Sequence, residues 1–340
     1  MKKKTFLCII ISLMMLLFVS CGSDSNNKSN KNDSQTENQE ITVRVANMGT
    51  NWIMLTAEKK GFFEEELKGK NAKVELINVG SAAEQTEAFA AKGLDIGGGG
   101  DLAILTSIGS GINLDIIGIG KAENLDNWGL VAAKDSNINS ISDIKGKKVG
   151  VALGSGLHHL LGNYLKSVGY TFNDIEVINL SPADAYTSLI AGAVEVAVTN
   201  EPFITQAKEQ GSKLICTAEG YCDMLSCNVV ASDFAKEHPD IVKAVISAEY
   251  KAYKWAKESE ENENEALGYV EDLTGVPVET LKITFDKTTF EYSINQDLLN
   301  GIQDTADYLY EQELINEKID ISKSINKELL KDTEFTDYSN

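Results

Sequence analysis

The chain has 340 residues, with 31 Lys and Arg against 51 Asp and Glu, a net charge of −20 and a pI near 4.6. That balance repels polyanions, so nucleic acid and anionic lipid surfaces are poor partners. It leaves room for a small anion, because local dipoles decide a pocket, and the length suits two domains of usual size.

The first twenty residues read as a targeting segment. Lys2, Lys3 and Lys4 are followed by an apolar run over residues 6–19, too short to span a bilayer comfortably and suited to a signal peptide. Leu17-Phe18-Val19-Ser20-Cys21-Gly22 resembles a bacterial lipobox, with Phe18 where Leu is usual. The resemblance implies cleavage before Cys21, a lipid on its thiol and attachment to a membrane. Residues 21–40 are almost wholly polar after the cysteine and predict a flexible tether. Beyond Cys8 and Cys21, the cysteines are Cys216, Cys222 and Cys227. Their spacing matches no zinc pattern, and a Cys222–Cys227 bridge is left open.

Residues 41–46 alternate as a strand, followed by a helix from Trp52 to Lys60 that stops at Gly61. Residues 73–79 form the next strand. Ser81 and Glu84 have capping-box spacing and open a helix to Ala91. Residues 94–97 are a third strand, a glycine loop follows, and residues 102–107 are helical. The alternation predicts parallel strands with right-handed crossovers. The pattern returns one hundred positions later. Ile77-Asn78-Val79 matches Ile178-Asn179-Leu180, Ser81 matches Ser181, Asp95 matches Glu195 and Asp101 matches Glu201, so two similar α/β halves are expected.

Residues 114–120, 130–133, 149–153, 213–217 and 227–231 are further strands. Gly154-Ser155-Gly156 turns residues 149–153 into a helix over 157–165, with Ser155 as N-cap. The N–H groups of Gly156, Leu157 and His158 then lack intrahelical partners and favour an anionic oxygen. From Ser232 the chain is largely helical, with apolar periodicity over 241–256 and 295–311. The acidic run 258–265 reads as a solvated turn. Crossings near Asn127 and Cys227 predict a double hinge. One lobe is residues 41–126 plus 226–335, and the other is residues 127–225.

Ligands of open α/β sheets bind beyond the carboxyl ends of the strands. Here those ends carry Asn47, Thr50, Trp52, Gly80, Ser81, Gly100, Asp101, Ser155, Gly156, Leu157, His158, Asn200 and Glu201. Two facing lobes bring them to one cleft. Arg44 is the sole arginine and lies inside the first strand, so no guanidinium fork clamps an anion at these loops. Backbone N–H groups, hydroxyls and Lys121 remain for that role. Asp101 and Glu201 either cap their helices or take an amine or ring N–H. His158 and His159 are adjacent and point to different sides of a helix, so they form no metal pair. No nucleophile–base set, Walker A or dinucleotide fingerprint stands out. A binding protein without cofactor or metal is expected, not an enzyme.

Several stretches carry a family resemblance. Residues 154–161, Gly-Ser-Gly-Leu-His-His-Leu-Leu, and Ser181-Pro182-Ala183-Asp184-Ala185 resemble second-lobe motifs of the aliphatic sulfonate, taurine and nitrate type of ABC-transporter substrate-binding proteins. Gly93-Leu94-Asp95 with Gly99-Gly100-Asp101 is similar to their first-lobe ligand loop. Asn200-Glu201-Pro202-Phe203 stands where they often carry Trp-Asp-Pro-Phe, and residues 232–239 look like their return to the first lobe. The resemblance implies a two-lobed periplasmic-binding-protein-like fold of type 2, each lobe a mainly parallel sheet flanked by helices. It implies a monomeric, extracytoplasmic lipoprotein that hands a small molecule to a permease and its ATPase. The expected ligand is a small sulfonate, preferably aminated like taurine, with the sulfonate on the Ser155–His158 helix start and the amine on Glu201 or Asp101. A thiamine-precursor pyrimidine, another N-heterocycle or nitrate is the alternative.

Overall fold

The computed structural model describes residues 40–48, 51–122, 124–285 and 292–331. The signal segment, Cys21 and Thr50 lie outside them. The chain opens with β1 (Ile41–Asn47), α1 (Trp52–Lys59), α2 (Phe62–Glu66), β2 (Ala72–Asn78), α3 (Ala82–Ala90), β3 (Ile96–Gly100), α4 (Asp101–Gly109) and β4 (Leu114–Lys121). It then crosses to β5 (Trp128–Ala132), β6 (Lys148–Val151), α5 (Gly156–Ser167), β7 (Glu176–Asn179), α6 (Pro182–Ile190), β8 (Val196–Asn200), α7 (Phe203–Glu209) and β9 (Lys213–Thr217). It returns through β10 (Leu225–Ala231) and ends in α8 (Ser232–Glu237), α9 (Pro239–Lys257), α10 (Glu260–Thr274), α11 (Val278–Phe285) and α12 (Gln296–Glu311).

Two five-stranded sheets result, ordered β2-β1-β3-β10-β4 and β7-β6-β8-β5-β9. The repeat at one hundred residues is visible in this order: β2-β1-β3 and β7-β6-β8 are parallel trios built the same way. Each sheet is mainly parallel, with four strands running one way and one strand reversed. β10 runs antiparallel to β3 and β4, and β5 runs antiparallel to β8 and β9. Each of these two strands enters its sheet directly after the chain has crossed over, and so arrives reversed.

Two elements differ from the sequence expectation. Residues 97–100 are not a loop but most of β3, paired through Gly98↔Asn228, Gly99↔Cys227 and Gly100↔Ser226. Gly97 and Gly98 are explained by crowding, while Gly99 and Gly100 have room for a side chain. A Cβ on Gly97 would lie 2.9 Å from Gln85 Oε1 and 3.1 Å from the Phe89 ring, and one on Gly98 would lie 2.7 Å from Asn228 Oδ1. The acidic run is the start of α10, not a turn. Ser259 Oγ accepts from the Asn262 N–H at 3.2 Å, and Glu260, Glu261 and Glu263 occupy the first turn. Carboxylates there complement the positive end of the helix dipole, and Gly275, at φ 74°, closes the helix.

Both sheets are covered on both faces. One core joins β1 and β3 to α1, α2 and α9 through Val43, Val45, Ile96, Val242 and Val245. A second lies under α4 and α12, with Leu102, Leu105, Ile302 and Leu309. In the other lobe Leu160, Leu161 and Tyr164 of α5 pack on Val149, Val151 and Val198, while α6 and α7 cover the opposite face. Removing a fully buried Leu from such a core costs about 2–5 kcal/mol. The cysteines at 216, 222 and 227 are all free.

Candidate functional site

The carboxyl ends of the central strands in both sheets open on one cleft of about 810 Å³. One wall begins at α5. Its N-cap Ser155 accepts from the Leu157 N–H at 3.2 Å and donates its own hydroxyl proton to Ala152 O at 2.7 Å. The His158 N–H is given to Ser155 O at 2.9 Å. The expectation of three open N–H groups is therefore corrected: at this helix start the Gly156 N–H alone keeps no partner among the described residues. Gly156, Leu157 and the Ser155 hydroxyl line the cleft, and the positive end of a twelve-residue helix stands behind them.

Of the residues expected from sequence, the cleft brings together Gly100, Ser155, Gly156, Leu157, Asn200 and Glu201. The others sit elsewhere among the described residues. Asn47 is fully buried and donates from Nδ2 to Asn78 Oδ1 at 2.8 Å. Trp52 is buried between Tyr253 and Phe285. Ser81 caps α3 by accepting from the Glu84 N–H, while Glu84 accepts from the Gly80 N–H at 2.6 Å. His158 packs its ring on Phe172 at 4.8 Å between centroids, and burial lowers its pKa. Its neighbour His159 stacks on Tyr308 of α12 at 4.2 Å, a contact between the lobes. Burial brings the His159 pKa down to about 4.

The two matched acids diverge. Asp101 is 5 % exposed. Its Oδ2 accepts from Thr305 Oγ1 and its Oδ1 from the Leu102 N–H, each at 2.7 Å. Burial raises its pKa to about 6 against the pull of those hydrogen bonds. Glu201 lines the cleft, yet its carboxylate accepts from the Thr205 N–H at 3.1 Å and from Thr205 Oγ1 at 2.9 Å.

Sequence reasoning missed a larger set: Asn51, Trp128, Met224, Asn228, Glu249 and Tyr292 also line the cleft. Trp128 supplies an aromatic surface that the Asn200 position lacks. Lys121 lines it too, with Nζ held at 2.9 Å by Asp223 Oδ1. Glu249 and Tyr292 come from segments 150 and more residues beyond β3, and no local signal marks them. Among the described residues no cluster of His, Cys, Asp or Glu is arranged to hold a metal ion.

Two α/β lobes, crossed twice by the chain and opening on a shared polar cleft, define the periplasmic-binding-protein architecture. The sequence matches the NMT1/THI5 like family over residues 51–263, and the chain belongs to that family. A putative aliphatic sulfonates-binding protein of Bacillus subtilis is 26 % identical over 325 residues, covering 95 % of each chain. Its counterpart of the same description in Escherichia coli is 25 % identical, covering 76 % of this chain and 81 % of that one. The crystal structure of the periplasmic aliphatic sulphonate binding protein of Escherichia coli superposes with a TM-score of 0.75 at 22 % identity, covering 85 % of this chain and 98 % of that one.

Proposed function

We propose that this protein is the extracytoplasmic solute-binding component of an ABC importer and that its solute is a small sulfonate. The observation that carries the reading is the start of α5. A Ser hydroxyl, an uncommitted Gly156 N–H and a helix dipole meet at the wall of an open cleft. Such a start satisfies a tetrahedral oxyanion without an arginine, and none is present at the loops. The named relatives support the same solute class. Capture would draw the lobes together about the two crossings, and the closed form would dock on a permease with its ATPase. Cys21 is proposed to carry a lipid that tethers the monomeric mature protein to the membrane. No described helix is long and apolar enough to cross a membrane.

A thermal-shift series tests the solute class, since a ligand that binds only the folded state raises apparent stability by mass action. Alkanesulfonates and aminosulfonates should raise the midpoint with the logarithm of concentration above their dissociation constants, and nitrate and neutral pyrimidines should not. Stabilisation by a pyrimidine with none by any sulfonate would replace this reading with the heterocycle one. Cys21→Ser should release the protein from cells or leave it unprocessed. Unchanged processing and membrane retention would remove the lipid anchor.

A further inference from the structure

Glu249 lies on α9 and is 3 % exposed, yet it lines the cleft. Tyr292 donates its hydroxyl proton to Glu249 Oε2 at 2.7 Å. The other oxygen, Oε1, has no hydrogen-bond partner among the described residues. A buried carboxyl oxygen left unmatched costs about as much as a lost hydrogen bond, and native proteins keep few of them. Such an atom on the wall of a binding cleft is accounted for if the ligand supplies its partner.

The charges of the cleft indicate which kind of partner. Among the described lining residues the ionisable side chains at neutral pH are Lys121, Glu201 and Glu249. Lys121 is held by Asp223. Both Glu201 oxygens are occupied by Thr205, and both Asp101 oxygens are occupied away from the cleft. Glu249 Oε1 therefore remains as an acceptor, in a wall whose one lysine among the described lining residues, Lys121, is already paired with Asp223.

We propose that Glu249, oriented by Tyr292, binds a cationic nitrogen of the solute, so that the sulfonate captured here is an aminosulfonate with its amine on α9 and its sulfonate on α5. The inference rests on the sulfonate reading above and sharpens it. It also moves the amine contact from Glu201 and Asp101 to a residue of the C-terminal helices. Burial raises the Glu249 pKa to about 8, and an approaching ammonium would favour its ionised form.

The test is calorimetry on the mature protein with two matched series. One is the ω-aminoalkanesulfonates of two, three and four carbons. The other is the alkanesulfonates in which a methyl group replaces the ammonium. At least one amine should bind about 10- to 100-fold more tightly than its methyl analogue, the range of one hydrogen bond to a charged group. Glu249→Gln should abolish that preference, so that an amine and its methyl analogue bind with equal affinity, and an unchanged circular dichroism spectrum is the control for folding. Tyr292→Phe keeps the carboxylate and should keep the preference in reduced form. Equal affinity of the two series for the unaltered protein, or a preference that survives Glu249→Gln, would overturn the inference while the sulfonate reading stands. Binding of neither series would overturn both.

Discussion

The two halves related by one hundred residues begin alike and finish differently. Ser81 and Ser181 each cap a helix by accepting from the N–H three residues on, at 3.2 Å in both cases. Asp95 and Glu195 each pair with a cation across neighbouring strands. Asp95, however, is 4 % exposed and held by Arg44 Nε and Nη2, whereas Glu195 meets Lys147 at an open surface. Asp101 is sealed by Thr305 of α12, while Glu201 stays at the cleft. The local pattern writes strand, turn and capped helix in both halves. What separates them is chain added later. The helices after β10 pack on the first lobe and, apart from contacts such as His159–Tyr308, add nothing to the second, which α5, α6 and α7 cover. A polar residue that faces water or ligand in one half has thereby become structural in the other.

The contrast is broken hardest at the two ion pairs. Arg44→Met leaves the buried Asp95 charge without its fork and should cost about 3 kcal/mol or more of unfolding free energy. Lys147→Met should cost less than about 1 kcal/mol, because its partner is exposed. Urea denaturation of both variants reads the difference, and equal losses would remove the distinction between the halves.

Next in size is the cleft wall peculiar to the second lobe. Ser155→Ala removes the cap that holds this helix start and the hydroxyl that bridges the Leu157 N–H and Ala152 O at the cleft wall. It should weaken every sulfonate by about 10- to 100-fold, whether or not the sulfonate carries an amine. Loss confined to the aminated ligands would place the anion elsewhere.

Asp101 gives a pH test with a definite sign. Its folded pKa, about 6, lies above the usual 3.8. The folded state therefore holds the proton more tightly, and stability from this group falls as pH rises from about 4 to about 6. Asp101→Asn removes the charge and keeps one acceptor, Oδ1, for the Leu102 N–H, while its Nδ2 turns to donate to the Thr305 hydroxyl oxygen. It should raise stability by about 1–2 kcal/mol above pH 7 and by nothing below pH 4. Thermal melts across that range check it, and a loss at neutral pH would assign the ionised carboxylate a stabilising role.

The smallest effect sharpens the likeness. Ser81→Ala and Ser181→Ala should each cost about 1 kcal/mol, since each removes one cap of the same geometry. Unequal costs, read by the same melts, would show that the shared pattern does not carry shared energetics.

What could be read from sequence follows the same division. Element order, the Ser caps, the repeat and the helix start at Ser155 were legible because each depends on residues within a few positions. The strand over residues 97–100 was not, since it is made by pairing with β10 more than a hundred residues later, and glycine alone looks like a loop. The acidic start of α10 was missed because charge was weighed above the Ser259 cap and its complementarity to the helix end. Six of the cleft residues were visible as strand ends. Trp128 was seen only as part of a crossing, Glu249 was hidden inside a segment whose periodicity announces core, and Tyr292 lies outside every element read from the sequence.

The stack of His159 on Tyr308 bears on how tightly any solute appears to bind. An aromatic pair of this kind contributes about 0.5–1.5 kcal/mol, enough to change the ratio of closed to open molecules by about two- to twelvefold before a solute arrives. The solute experiences only the fraction that is competent, so its measured dissociation constant is the intrinsic one divided by that fraction. With its imidazole neutral down to a pH of about 4, the stack does not titrate near neutrality. Substitutions at these two positions would thus scale the affinities for all solutes by one common factor. The concentration range over which a solute binds is in this way adjustable while the choice of solute is left untouched.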